Sequence, residues 1–214
     1  MYRFDLLILS ACLVAGSALA AGAPGSTETA SLRNRKACCK SFKEIKYESL
    51  DDDSMVQFKL DSSSRVYRFR SGKSYFRAFR LPAYTRPYRI NVKSYIVRRR
   101  GRNGRVLIKP VFMFLDKRFR KTRIAQITPQ PKNVEQENVE LDGYVEIKAQ
   151  NSKDRYLLLY TTSEMTKDSF KYRKPHVLIP VHVGSSTTVI TMKERVYPVP
   201  FGYQGKISLS ISYP

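Results

Sequence analysis

From residue 88 to residue 96 the chain alternates. Tyr88, Ile90, Val92 and Ile96 fall on one side of an extended backbone, and Arg89, Asn91 and Lys93 on the other. A period of two is incompatible with a helical stripe and marks a half-buried strand. Two segments that are apolar on both faces flank it, residues 74–81 and 106–115. Strands inside a packed sheet have that character. Between the second and third segments lies RRRGRNGR, in which Asn103-Gly104 is a strong hairpin signal, because both residues tolerate positive φ. The spacing therefore predicts a β core with an arginine-laden hairpin tip.

The rest of the chain continues the theme. Val56–Leu60 alternates and reads as an edge strand, and residues 65–70 place Tyr67 and Phe69 on one face. Residues 143–149 and 155–162 read as a strand pair joined by a turn at 150–154. Val177–Val183 and residues 187–192 flank Gly184-Ser185-Ser186 as a hairpin would. Pro198 and Pro200 exclude residues 196–201 from the centre of a sheet. Residues 206–213 alternate again. Residues 117–123 read as a basic loop and 127–140 as a long connection, while Phe42, Ile45 and Tyr47 fit either a short helix or an irregular strand. Nine or ten short strands with polar turns predict an all-β fold, an antiparallel β-sandwich of the jelly-roll or immunoglobulin-like kind. It would be a single domain over residues 37–214, behind a disordered linker at 21–36.

The order of these segments carries a resemblance. A GKSYFRAFRLP strand is followed by one ending in KSY, then a basic turn, then PVFMFLD, and later YLLLYTTSE. In that order the chain resembles the maltose-operon periplasmic protein family of Gram-negative bacteria, from about Cys38 onward. The Pro/Ala-rich linker and helical tail of enterobacterial members have no counterpart in these 214 residues, so the resemblance is to the β domain. It implies a non-enzymatic periplasmic protein, accessory to maltose or maltodextrin transport, and carries over no binding or catalytic residue.

The N-terminus supports export. Arg3, the apolar run LLILSACLVAG and Ala18-Leu19-Ala20 form a signal peptide over residues 1–20 with an AxA cleavage site. A lipoprotein reading, with Cys12 lipidated after Leu9-Ser10-Ala11, is the alternative. Net charge is +21, and it is uneven. Residues 65–123 hold 20 Lys and Arg against Asp116 alone, leaving +2 for everything else. Charge alone would suggest nucleic acid. Export excludes that partner in favour of anionic envelope polymer such as lipopolysaccharide, with at most peripheral membrane contact.

Candidate sites follow from these classes. Arg98, Arg99, Arg100, Arg102 and Arg105 crowd the predicted hairpin tip, where planar guanidinium groups suit phosphate or carboxylate. Tyr84, in a loop between Pro82 and Pro87, and Tyr95, on the polar side of its strand, are sugar-stacking candidates. Cys38 and Cys39 remain after signal cleavage and are a disulfide candidate, within the chain or between chains. Catalysis is not expected: His176 and His182 are the available imidazoles, without a GxSxG or a paired-His motif. Gly72-Lys73-Ser74 lacks the upstream Gly of a phosphate loop. Asp51-Asp52-Asp53 lacks the ligand spacing of a calcium loop. No cofactor or metal is expected.

Overall fold

The computed structural model describes residues 26–51, 55–98, 104–127, 130–132, 140–174, 177–184, 186–192 and 195–214. The expected signal peptide with Cys12, the residues Asp52 and Asp53, the arginines Arg99, Arg100 and Arg102, and His176 lie outside them.

The chain opens with helix α1 (Ser26–Asn34) and then β1 (Glu48–Ser49), β2 (Val56–Leu60), β3 (Val66–Phe69), β4 (Gly72–Arg80) and β5 (Tyr88–Tyr95). A short ribbon of β6 (Val97–Arg98) and β7 (Arg105–Val106) follows, then β8 (Val111–Leu115), β9 (Lys121–Gln126), β10 (Gln130–Lys132), β11 (Glu140–Ile147) and β12 (Tyr156–Tyr160). The last third holds β13 (Ser169–Lys174), β14 (Val177–Val183), β15 (Ser186–Met192), β16 (Arg195–Pro200) and β17 (Gly205–Ser212).

Two sheets pack face to face, consistent with an all-β sandwich. The first has the order β1-β4-β12-β8-β9, with β3 also on β4; the second has the order β10-β11-β5-β17-β2. Pairing is antiparallel except for the two-residue contact of β1 with β4. Tyr75, Phe79, Phe112, Phe114, Leu157 and Leu159 of the first sheet meet Tyr88, Ile90, Val92, Ile207, Leu209 and Ile211 of the second in the main core.

The segments 74–81 and 106–115 are apolar on both sides for a reason the structure makes plain. β4 and β8 lie inside the first sheet, and their alternate residues (Phe76, Ala78, Met113, Leu115) enter a second core with Tyr67, Phe69, Leu158 and Tyr160. That second core is roofed by Ile45, Phe42 and Tyr47, which belong to a 3-10 turn at Phe42–Glu44 and the chain after it.

Several local expectations need correction. The described part of the 21–36 linker is not disordered: it forms α1, and Leu32 reaches the main core. Lys73, at the start of β4, donates through Nζ to the carbonyls of Arg33 (2.5 Å) and Arg35 (2.6 Å) and so fastens the helix C-terminus to β4. The basic stretch 117–123 is half strand, because β9 pairs with β8. Its tip is closed by Asp116, which accepts from the backbone of Arg118 and Arg120. The segment 106–115 is interrupted at Pro110 and contributes only β8 to the sheet.

Of the two predicted strand pairs, the Asn-Gly hairpin closes only as the two-residue ribbon β6–β7, and the pair at 143–162 does not form. β11 and β12 lie in different sheets, as do β5 and β8. Those turns join layers rather than neighbours. The 177–192 hairpin does form, with Gly184 at φ +62 in its turn.

Candidate functional site

Three strands of the second sheet set the outer face, and their alternation is the reason it is polar. β5 buries Tyr88, Ile90, Val92 and Ser94 and turns Arg89, Asn91, Lys93 and Tyr95 outward. β17 turns Lys206, Ser210 and Ser212 the same way, with Ser208 lying low in the row. β11 contributes Glu140, Asp142, Tyr144 and Glu146. Register lines them up across the strands: Tyr95 lies between Glu140 and Lys206, Lys93 between Asp142 and Ser208, Asn91 between Tyr144 and Ser210, Arg89 between Glu146 and Ser212.

These rows are knitted by side-chain contacts. Arg89 donates to Glu146 through Nη2 at 2.9 Å and Nε at 3.2 Å. Lys93 meets Glu140 at 3.1 Å, and Asn91 donates to Ser212 at 2.9 Å. The Tyr95 and Ser208 hydroxyls are 3.1 Å apart. The Glu140 carboxylate bonded to Lys93 is the main reason its ammonium titrates above the usual lysine range. Glu146 is held below the usual carboxylate range by Lys148 first and Arg89 second.

The result is an ordered surface of low net charge. Arg89, Lys93, Lys148, Lys206 and, on β2, Lys59 stand against Glu140, Asp142 and Glu146, a small positive excess. Two aromatic rings interrupt it. Tyr144 is 52% exposed, with the Arg89 guanidinium 4.6 Å from its ring centre. Tyr95 is half-buried, with the Lys206 ammonium 5.1 Å from its ring centre. Tyrosine faces beside amide, hydroxyl and ionic groups fit a flat polyhydroxylated ligand. Rings meet its apolar side, and the fixed polar groups meet its hydroxyls.

The predicted sugar-stacking residues are thus separated. Tyr95 belongs to this face. Tyr84 precedes the other end of β5, roughly 20 Å away along a strand of about 3.3 Å per residue, and is partly buried against the main core. Tyr144 was missed. The rule that singled out Tyr95, an aromatic residue on a polar strand face, selects Tyr144 too once β11 is started at Glu140 rather than Gly143.

Among the described residues, five cations of the 65–123 block are paired with carboxylates from outside it: Arg77 meets Glu48, Arg89 meets Glu146, Lys93 meets Glu140, Lys109 meets Asp168, and Arg123 meets Asp154. Of the five hairpin arginines, Arg98 and Arg105 are register partners at the base of the β6–β7 ribbon. Like charges opposed across an antiparallel pair repel.

Cys38 and Cys39 are disulfide-bonded to each other, with the Cys38 amide donating to Val66 at 2.8 Å. Two open clefts, of about 370 and 440 Å³, lie along the first sheet. The smaller is lined by Lys46, Arg65 and Arg77, the larger by Arg80, Lys117 and Arg155. Among the described residues no three of His, Cys, Asp and Glu come together as a metal site requires, and no helix is long and apolar enough to cross a membrane.

Comparison with protein families finds one that matches: the maltose operon periplasmic protein precursor, over residues 71–211. No curated protein and no solved structure matches the chain. The matched span begins at the β3–β4 turn and takes in every strand of the outer face except β2.

Proposed function

Because the chain belongs to the maltose operon periplasmic protein family, we propose that it is a non-enzymatic accessory to maltodextrin uptake that holds glucan on the outer face of the second sheet. The observation that carries this reading is the low net charge of that face, where Arg89, Lys93 and Lys148 are paired with carboxylates, in a chain of net charge +21, together with the exposed ring of Tyr144. A neutral polysaccharide gains nothing from a strong field. It gains from ring stacking and from hydroxyl partners already held in place, because these cost little ordering on binding. Calorimetric titration with maltoheptaose tests it. Tyr144→Ala should weaken binding about tenfold, the equivalent of roughly 1.4 kcal/mol, with the unfolding transition unmoved. Equal affinity of the variant and the parent would refute the assignment of Tyr144.

A second reading is an envelope adaptor that binds anionic polymer, favoured by the crowding of Arg98, Arg99, Arg100, Arg102 and Arg105 into eight residues of sequence, since guanidinium groups suit phosphate and carboxylate. Replacing Arg98, Arg99, Arg100, Arg102 and Arg105 with Ser should lower the salt needed for elution from heparin or lipopolysaccharide. Unchanged elution of the folded variant removes this reading and leaves the first intact.

A further inference from the structure

Residues 169–200 stand apart from both sheets. β13 pairs with β16, and β14 pairs with β15, each as a two-stranded ribbon. The base is anchored: Val199 and Phe201 share a small buried cluster with Leu107 and Leu141, and the Leu107 amide donates to Pro200. The distal ribbon is different. Among the described residues no third strand adjoins β14 or β15. Pro180, His182, Thr187 and Thr188 are exposed, and Val189 is 55% exposed.

Its charge pattern is as unusual as its position. From residue 175 to 192 there is no Asp, Glu, Lys or Arg, in a chain that is 27% charged. Charge returns abruptly at the base, with Lys171, Arg173 and Lys174 on one strand and Arg195 on the other; Lys193 and Glu194 precede Arg195 in sequence, so the collar is net basic rather than free of acid. Register puts Val177 opposite Met192 and Ile179 opposite Ile190 in one row and Pro180 opposite Val189 in the other, so both rows of the ribbon carry aliphatic residues and neither carries charge. The β6–β7 ribbon, with Arg98 and Arg105, contacts β16 beside this base.

We propose that the β14–β15 ribbon is a docking arm for an anionic phospholipid bilayer. Its uncharged distal part seats at the boundary between headgroups and acyl chains, while the basic residues at its base meet the lipid phosphates. Charge complementarity selects this occupant. An uncharged, aliphatic segment gains by leaving water, and a basic collar directly behind it is drawn to a negatively charged leaflet. A two-stranded ribbon leaves unpaired backbone groups at both edges, so it can lie in the interface but cannot cross the hydrocarbon alone. Seven residues per strand, at about 3.3 Å each, give roughly 20 Å of insertable length. The arm is independent of the proposed glucan face.

The chain contains no Trp, so a single introduced indole reports on the arm without background. The full chain carrying Val189→Trp is mixed with vesicles of phosphatidylcholine alone or with three parts in ten phosphatidylglycerol. The expected result is flotation and a blue-shifted indole emission with the anionic vesicles only. Val189→Asp in the parent chain should cut the floated fraction at least fivefold at an unchanged melting temperature, and Lys171→Glu with Arg173→Glu should do the same. Flotation without a shift in emission would overturn the proposal, since charge elsewhere would then be holding the protein. So would equal flotation of the Val189→Asp chain. A dimer that Val189→Asp dissociates, with flotation unaffected, would assign the arm to a second copy instead.

Discussion

The two sheets present the same kind of inner face to one another and opposite kinds of outer face. On the first sheet the outer residues are Phe69, Phe76, Ala78, Leu158 and Tyr160, and the chain from Cys39 to Tyr47 lies over them. Phe69 and Tyr160 stack at 3.8 Å between ring centres, and Phe42 stacks on Tyr67 at 5.0 Å. On the second sheet the outer residues are serine, asparagine, tyrosine and ion pairs, and each strand alternates cleanly. A sandwich needs only one apolar face per sheet. Where a second apolar face exists it must be covered, and the N-terminal strap is the cover. Where the second face is polar it needs no cover.

The contrast predicts opposite responses to mutation. The largest effect is expected on the covered face. Phe76 is 1% exposed, and Phe76→Ala should lower the unfolding free energy by about 3–5 kcal/mol in a urea titration. Ser210→Ala on the other outer face should stay within about 0.5 kcal/mol. Similar losses at the two positions would mean that the faces do not differ as described.

The next effect concerns the edge between the sheets' ends. Asp154 is buried and holds Arg123 at 2.8 Å and Thr122 at 2.5 Å. Asp154→Ala strands the Arg123 guanidinium, and a loss of about 3 kcal/mol is expected by the same titration.

Much of this contrast was legible in the chain. The alternation of β5 and β17 gives the polar face directly, and the two-sided apolarity of β4 and β8 correctly demands a second cover. The cover itself was not legible. Its apolar residues, Cys39, Phe42, Ile45 and Tyr47, are spaced irregularly and match neither a helix nor a strand period. Turn chemistry at 96–110 and 148–155 does not say which strands pair: the first closes the short β6–β7 ribbon, but β5 and β8, like β11 and β12, lie in different sheets. Such residues specify that the chain reverses, not whether it returns beside its neighbour or in the opposite layer. The charge block left the distribution of its charge open for a related reason. Sequence places its 20 cations together, whereas Glu48, Glu140, Glu146, Asp154 and Asp168 reach them only through long-range contacts. Tyr144 sits among acids on β11, and register sets it beside Asn91 on the polar face.

Acid should act broadly. Asp61, Asp116 and Glu146 all titrate lower than usual, through the Ser63 hydroxyl at Asp61, the Arg120 amide at Asp116 and Lys148 at Glu146. Groups depressed in the folded state confer stability that is complete above their ordinary values and is lost as pH falls through the folded values. Lys93 is raised, so its contribution is present below the ordinary lysine value and is lost only as pH climbs through its raised one. The melting temperature should therefore be level near neutrality and fall below about pH 4. A melting temperature that rises on acidification would contradict these assignments.

The smallest effect is expected at the start of the strap. The Cys38–Cys39 bond spans a sequence separation of 1 and closes almost no loop. Cys38→Ser with Cys39→Ser should therefore cost less than about 1 kcal/mol. A loss several times larger would show that the pair anchors the strap by more than local geometry.

The most direct test of the two-face account is a backbone amide NMR titration with maltoheptaose. Progressive shifts are predicted at Asn91, Lys93, Tyr95, Tyr144 and Ser210, with the amides of Phe76, Leu158 and Tyr160 on the covered face unmoved. Shifts confined to the first sheet or its clefts, or none at millimolar sugar, would contradict it.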